Sequence, residues 1–102
     1  MLTKEQLIKG QIYFLLYSNN SNTQEWILKF DCFKEGYDKN YLWTQSSIWS
    51  KSYFVGGAWG DFRNVVECRE ATEEEKQHLE DCTAAKAYVE KKLLKAINYQ
   101  IY

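Results

Sequence analysis

Ala71-Thr72-Glu73-Glu74-Glu75-Lys76-Gln77-His78-Leu79 is the stretch at which the chain changes character. Thr72 and Glu75 stand in the capping-box positions: the Thr hydroxyl takes the Glu75 amide proton, and the Glu75 carboxylate reaches back to the Thr amide. Downstream, Leu79, Cys82, Val89, Leu93 and Ile97 follow helical spacing, with Ala85 and Ala96 beside them. Acidic residues fill the first turns and Lys91, Lys92 and Lys95 come late, both favourable to the helix dipole. The pattern predicts one long helix over 72–98 and a tail over 99–102.

Upstream of Ala71, aromatic and β-branched residues cluster in short runs separated by Gly, Asn and Ser. Thr3-Lys4-Glu5-Gln6 repeats the capping pattern and Gly10 supplies a stop, so a short helix is expected over 4–9. Strands are expected over Ile12–Tyr17, Glu25–Phe33, Tyr41–Thr44, Trp49–Val55 and Phe62–Cys68, with Gln45-Ser46-Ser47 as a separator. In the second strand Trp26, Leu28, Phe30 and Cys32 share one face; in the last, Phe62, Val66 and Cys68 are in phase. Phe14, Leu16, Trp26, Leu28 and Phe30 are expected to pack with Leu79, Cys82, Val89 and Leu93. The fold class is therefore α+β: a small antiparallel sheet, or an SH3-like partly closed barrel of about five strands, with a short N-terminal helix and one long C-terminal helix. At 102 residues this is expected to be a single domain.

Composition narrows the function classes. A net charge of −1 argues against a surface that attracts nucleic acid as a whole. Cys32, Cys68 and Cys82 lack paired spacing and His78 is the only histidine, so no metal site and no cofactor are expected. The opening Met1-Leu2-Thr3-Lys4-Glu5 is polar, and the longest apolar run, Ile12 to Tyr17, is too short to span a bilayer. A cytoplasmic protein is expected.

Enzyme constellations are poorly supported. His78 lies beside Leu79 on a capped helix, the usual place for a boundary residue, and no cysteine sits in a nucleophile signature. Gly56-Gly57-Ala58-Trp59-Gly60-Asp61 lacks the Lys-Ser/Thr pair of a phosphate loop and opens no helix. What stands out is an aromatic fraction of 17%, concentrated in Tyr41, Trp43, Trp49, Tyr53 and Trp59 and interleaved with Lys51 and Arg63. Such residues serve either as core, as anchors of a protein interface or as stacking platforms for single-stranded nucleic acid. Near-neutral charge favours protein over phosphate. The partner-binding candidates are Trp43, Trp49, Tyr53, Trp59 and Arg63, with the acidic helix start, Glu73, Glu74, Glu80 and Asp81, as a second surface.

The segment Arg69-Glu70-Ala71-Thr72-Glu73-Glu74-Glu75-Lys76-Gln77-His78-Leu79-Glu80-Asp81-Cys82 resembles a recurring ending of small phage and mobile-element proteins of Bacteroidota-type bacteria, in which an aromatic-rich β unit precedes it. Lys9-Gly10 and Tyr13-Phe14 fit the opening of that unit. The resemblance implies a lineage that includes anti-defence inhibitors such as anti-CRISPR proteins, and it carries no catalytic residue. The expectation is a non-catalytic protein that binds and inhibits a host defence nuclease such as a CRISPR effector. The alternatives are a single-stranded nucleic-acid-binding accessory or a sponge for a signalling nucleotide.

Overall fold

In the computed structural model, which describes residues 1–20, 22–34 and 39–91, the strands are β1 (Ile12–Asn19), β2 (Asn22–Phe33), β3 (Tyr41–Trp49), β4 (Ser52–Val55), β5 (Ala58–Asp61) and β6 (Val65–Glu70). They form one antiparallel sheet in the order β4-β3-β2-β1-β6, and β5 pairs the other half of β3. One helix follows, α1 (Glu73–Ala85). Of the two expected architectures the antiparallel sheet forms and the partly closed barrel does not: β5 pairs β3 and β6 pairs β1, and among the described residues no pairing joins the two edges. A single turn of 3-10 helix, Phe62–Asn64, carries the chain from β5 to β6.

Local chemistry sets the turns. Asn20 and Ser50 both take φ 56°, the left-handed conformation that two-residue hairpins need. Trp49 therefore pairs with Ser52, and β3 runs unbroken through Gln45-Ser46-Ser47, where a separator was expected. Ser46 and Ser47 are buried in the strand because small side chains fit between the bulky neighbours there: Leu28 and Phe54 flank Ser47. Gly56 and Gly57, at φ 62° and 87°, kink the outer strand and separate β4 from β5, a strand the sequence did not predict. A register shift at Leu16/Tyr17 turns Val65 and Cys68 inward, so Val66 is exposed rather than in phase with Cys68.

Both faces of the sheet are packed. The inner face holds Tyr13, Leu15, Leu28, Phe30, Leu42, Val65 and Cys68, with Leu7 covering them and Leu2, Phe33 and Phe62 alongside. The opposite face holds Ile12, Ile48, Ala71, Leu79 and Cys82. Leu28 and Phe30 thus lie away from α1, not against it as expected, and Phe14, Leu16 and Trp26 are only half-buried. At the N-terminus the expected helix shrinks to one 3-10 turn, Lys4–Gln6, in which the Thr3 amide donates to Gln6 Oε1 at 2.8 Å. The turn stops at Leu7, which takes an extended conformation (φ −75°, ψ 135°) and buries its side chain in the inner core.

The capping box at Thr72 forms as expected, with Glu75 N–H donating to Thr72 Oγ1 and Thr72 N–H donating to Glu75 Oε1. The helix then ends at Ala85 instead of Asn98. Lys86 adopts φ 55°, and the amides of Lys86 and Ala87 return to the carbonyls of Thr83 and Cys82. Ala84, Ala85, Lys86 and Ala87 are exposed and offer the helix no apolar face to bury. By turning back, the chain packs Tyr88 and Val89 against the Leu79–Cys82 cluster instead. The Val89 carbonyl accepts from His78 Nε2 at 2.9 Å, and its amide donates to Cys82 Sγ at 3.4 Å. Leu93, Ile97 and the predicted tail lie outside the described residues.

Candidate functional site

The register that fixes the sheet also gathers five aromatic rings on the face turned away from α1. Leu15 stands opposite Trp26, and Trp26 opposite Trp49. Residues paired directly across antiparallel strands project to the same side, so the two indoles stack, with centroids 5.4 Å apart and planes 14° apart. Phe54 lies 5.6 Å from Trp26. The Gly56-Gly57 kink then lets β5 swing over this face and bring Trp59 edge-on to Trp26 at 5.5 Å and to Tyr17 at 5.0 Å. Tyr17 is held by Asn64 Nδ2, which donates to its hydroxyl at 3.2 Å. Gly60 is buried beneath it, against the Tyr17 ring.

Exposure distinguishes this cluster from core. Leu2 and Leu7 cover the part of the face near Phe33 and Phe62. Around Trp26 and Trp49 the rings stay half-buried, and Phe54 is 40% exposed. Trp26 Nε1 donates to Gln24 Oε1 at 3.1 Å. Trp59 Nε1 is buried and finds no acceptor among the described residues. Half-buried aromatic rings are the usual material of a contact surface.

Of the predicted partner residues, the fold joins Trp49 and Trp59, through Trp26. It sends Trp43 and Tyr53 elsewhere. Trp43 stands opposite Cys32 with Lys34 Nζ 4.7 Å over its ring, and Tyr53 stands opposite Ile48 and packs against the helix-side core. Arg63 follows Trp59 closely but forks onto Asp61, whose carboxylate takes its Nε and Nη2. That side-chain bond, opposed by partial burial, holds the Asp61 carboxyl below the ordinary carboxylate value. Tyr17, Trp26 and Phe54 are members that sequence reading left out of the site.

The acidic candidates lie on the other side of the molecule, on α1. Glu73 pairs with Lys76 and Glu74 with Lys91, each at 3.5 Å; Asp81 accepts from Gln77 at 2.9 Å. Glu80 borders a groove of about 430 Å³ between α1 and β4, floored by Ile12, Ser46 and Tyr53. On the other flank of α1 a groove of about 570 Å³ runs over Phe14, Leu16, Ile27 and Ile48, between Trp49 and His78. The helix so covers only the middle of its face.

Among the described residues no group of three or more His, Cys, Asp and Glu side chains is arranged to hold a metal. No helix among them is long and apolar enough to cross a membrane. No protein-family model, no curated protein and no solved structure matches this chain.

Proposed function

We propose that this chain is a non-catalytic binding protein that occupies a surface of a partner protein through Tyr17, Trp26, Trp49, Phe54 and Trp59. The observation that carries the proposal is the contiguity of those rings on one partly open sheet face. A few buried aromatic anchors account for most of the energy of many interfaces. Nucleic acid would demand cations beside the rings, and Arg63, the basic group that follows Trp59, is forked onto Asp61. The partner class is the one implied by the resemblance of the Arg69–Cys82 segment to phage and mobile-element proteins, a host defence nuclease such as a CRISPR effector.

A pull-down from bacterial lysate with tagged protein, with and without nuclease treatment, tests the proposal. It should recover a protein that survives nuclease treatment and is lost with the Phe54→Ala variant. Recovery of nucleic acid without an enriched protein would replace it with a single-strand binding module. Tight calorimetric binding of a cyclic nucleotide would replace it with a nucleotide sponge.

A further inference from the structure

The outer edge of β4 is a short open strand, four residues long, with no charge and no proline inside it. Ser52-Tyr53-Phe54-Val55 pairs with β3 on one side only. Its hydrogen-bonding phase follows from two observations. Trp49 and Ser52 flank a two-residue turn, and Gly56 N–H donates to Gln45 O at 2.9 Å. In an antiparallel pair, positions that bond the neighbour alternate with positions that do not. Ser52, Phe54 and Gly56 therefore point their amides and carbonyls at β3. Those of Tyr53 and Val55 point outward, and no described residue outside the sheet reaches them. Val55 is 77% exposed and Phe54 40%. The run from Ser52 to Gly60 contains no charge and no proline, so Lys, Glu and Pro gatekeepers are all missing.

We infer that this edge pairs with the same edge of a second copy of the chain, as a closed two-fold dimer. Centring the two-fold on Phe54 sets Tyr53 of one copy opposite Val55 of the other. That match is self-complementary. The outward N–H and C=O of Tyr53 bond those of the partner's Val55, and the reverse, giving four backbone hydrogen bonds. Phe54 then faces the partner's Phe54 as a non-bonded pair, in which side chains come closest. Ser52 meets Gly56 and Lys51 meets Gly57, so no like charges oppose each other.

The other edge of the sheet does not compete. β6 carries Glu67, Arg69 and Glu70, and its Cys68 carbonyl already accepts from Leu2 N–H at 2.8 Å. A β4-to-β6 contact would be heterologous and open-ended, whereas β4-to-β4 closes on itself. A strand of four residues makes a small interface, so the dimer is weak and reversible. The inference stands apart from the proposed function, although the pairing would extend the Trp26–Phe54 row across two copies.

Sedimentation of the full chain across a concentration series tests it. The weight-average mass should climb from monomer towards twice that value and stop. Val55→Pro removes one outward N–H in each copy without touching the bonds to β3. It should raise the dimer dissociation constant about tenfold or more, the loss of two such bonds. Val55→Thr keeps the N–H and the β-branch and should dimerise as the parent does. Amide exchange at Tyr53 and Val55 of the unaltered chain should slow at high concentration, a readout that holds even if the Pro variant unfolds. A monomer at all concentrations up to about 1 mM, growth beyond the dimer, or equal loss in the Thr and Pro variants would each overturn the pairing.

Discussion

Arg69 and Glu75 are joined by two parallel bonds, 2.8 Å from Nη1 to Oε1 and 3.0 Å from Nη2 to Oε2. The same guanidinium lies 4.1 Å over the Phe14 ring, and Glu75 Oε1 also takes the Thr72 amide. One carboxylate thus closes the helix cap and fastens the helix start to β6 and β1. Burial alone would raise its pKa, but the Arg69 and Thr72 bonds outweigh it and hold Glu75 below its ordinary value of 4.5.

Glu75→Gln keeps the cap, because a Gln amide oxygen can take the Thr72 N–H as Gln6 takes that of Thr3. It should therefore cost about 0.5–1 kcal/mol at pH 7 from the ion pair, discounted for the exposure of Arg69. Because the folded value lies below the unfolded one, the contribution is complete above the unfolded pKa. It fades as pH falls through the folded value. Urea titrations should show a gap between parent and variant at pH 7 that narrows at pH 3. A gap of constant size would mean the charge of Glu75 contributes nothing.

The end of α1 offers a sharper test. Lys86 sits at φ 55°, a conformation that costs a residue with a Cβ about 1–2 kcal/mol and glycine little. Lys86→Gly should stabilise the protein by about 1 kcal/mol and raise Tm by about 4–8 °C. Were the helix continuous through 86, the same glycine would cost about 1 kcal/mol and lower Tm.

That contrast shows what could be read from the chain and what could not. The helix start was legible because Thr72 and Glu75 contact one another within a single turn. Its end was not, because Lys86 carries no compositional mark of a left-handed cap, and Val89 continues the apolar spacing although it folds back onto Cys82. Strand positions were legible from Phe14, Trp26 and Phe30, but which face the helix would cover was not. Leu15 pairs with Trp26 and Tyr13 with Leu28, so Phe14 lies on the face opposite to Trp26 and Leu28, and only the long-range pairing shows it. The candidate site divides the same way. Trp49 and Trp59 drew attention as tryptophans, whereas Trp26, Phe54 and Tyr17 join them only through long-range register. A two-residue turn placed at Ser50-Lys51 would have been the signal that put Trp49 and Phe54 on one face.

The three cysteines should differ in reactivity. Cys68 is fully buried and burial pushes its thiol up to about 11, so the thiolate is scarce at neutral pH. Cys82 is equally enclosed, while Cys32 is half-buried on β2. Iodoacetamide labelling of native protein, read by peptide mass spectrometry, should modify Cys32 first and reach Cys68 and Cys82 only in denaturant. Early labelling at Cys68 would contradict the inner core described here.

Phe54 is the residue that separates binding from folding at the aromatic face. Trp59 packs on Tyr17 and Trp26 against the inner core, so Trp59→Ala should destabilise by about 2–3 kcal/mol and blur any loss of partner. Phe54 is more exposed and touches the cluster at its rim. Phe54→Ala should leave Tm within about 4 °C of the parent. If the rings are the docking surface, it should weaken partner binding by about 2 kcal/mol, roughly thirtyfold. The acids of α1 lie on the opposite side of the sheet, so reversing Glu74 and Glu80 to Lys should leave the dissociation rate unchanged. At most it should slow association at low salt. A partner that ignores Phe54→Ala and is lost on the double reversal would move the docking surface from the aromatic face to the helix.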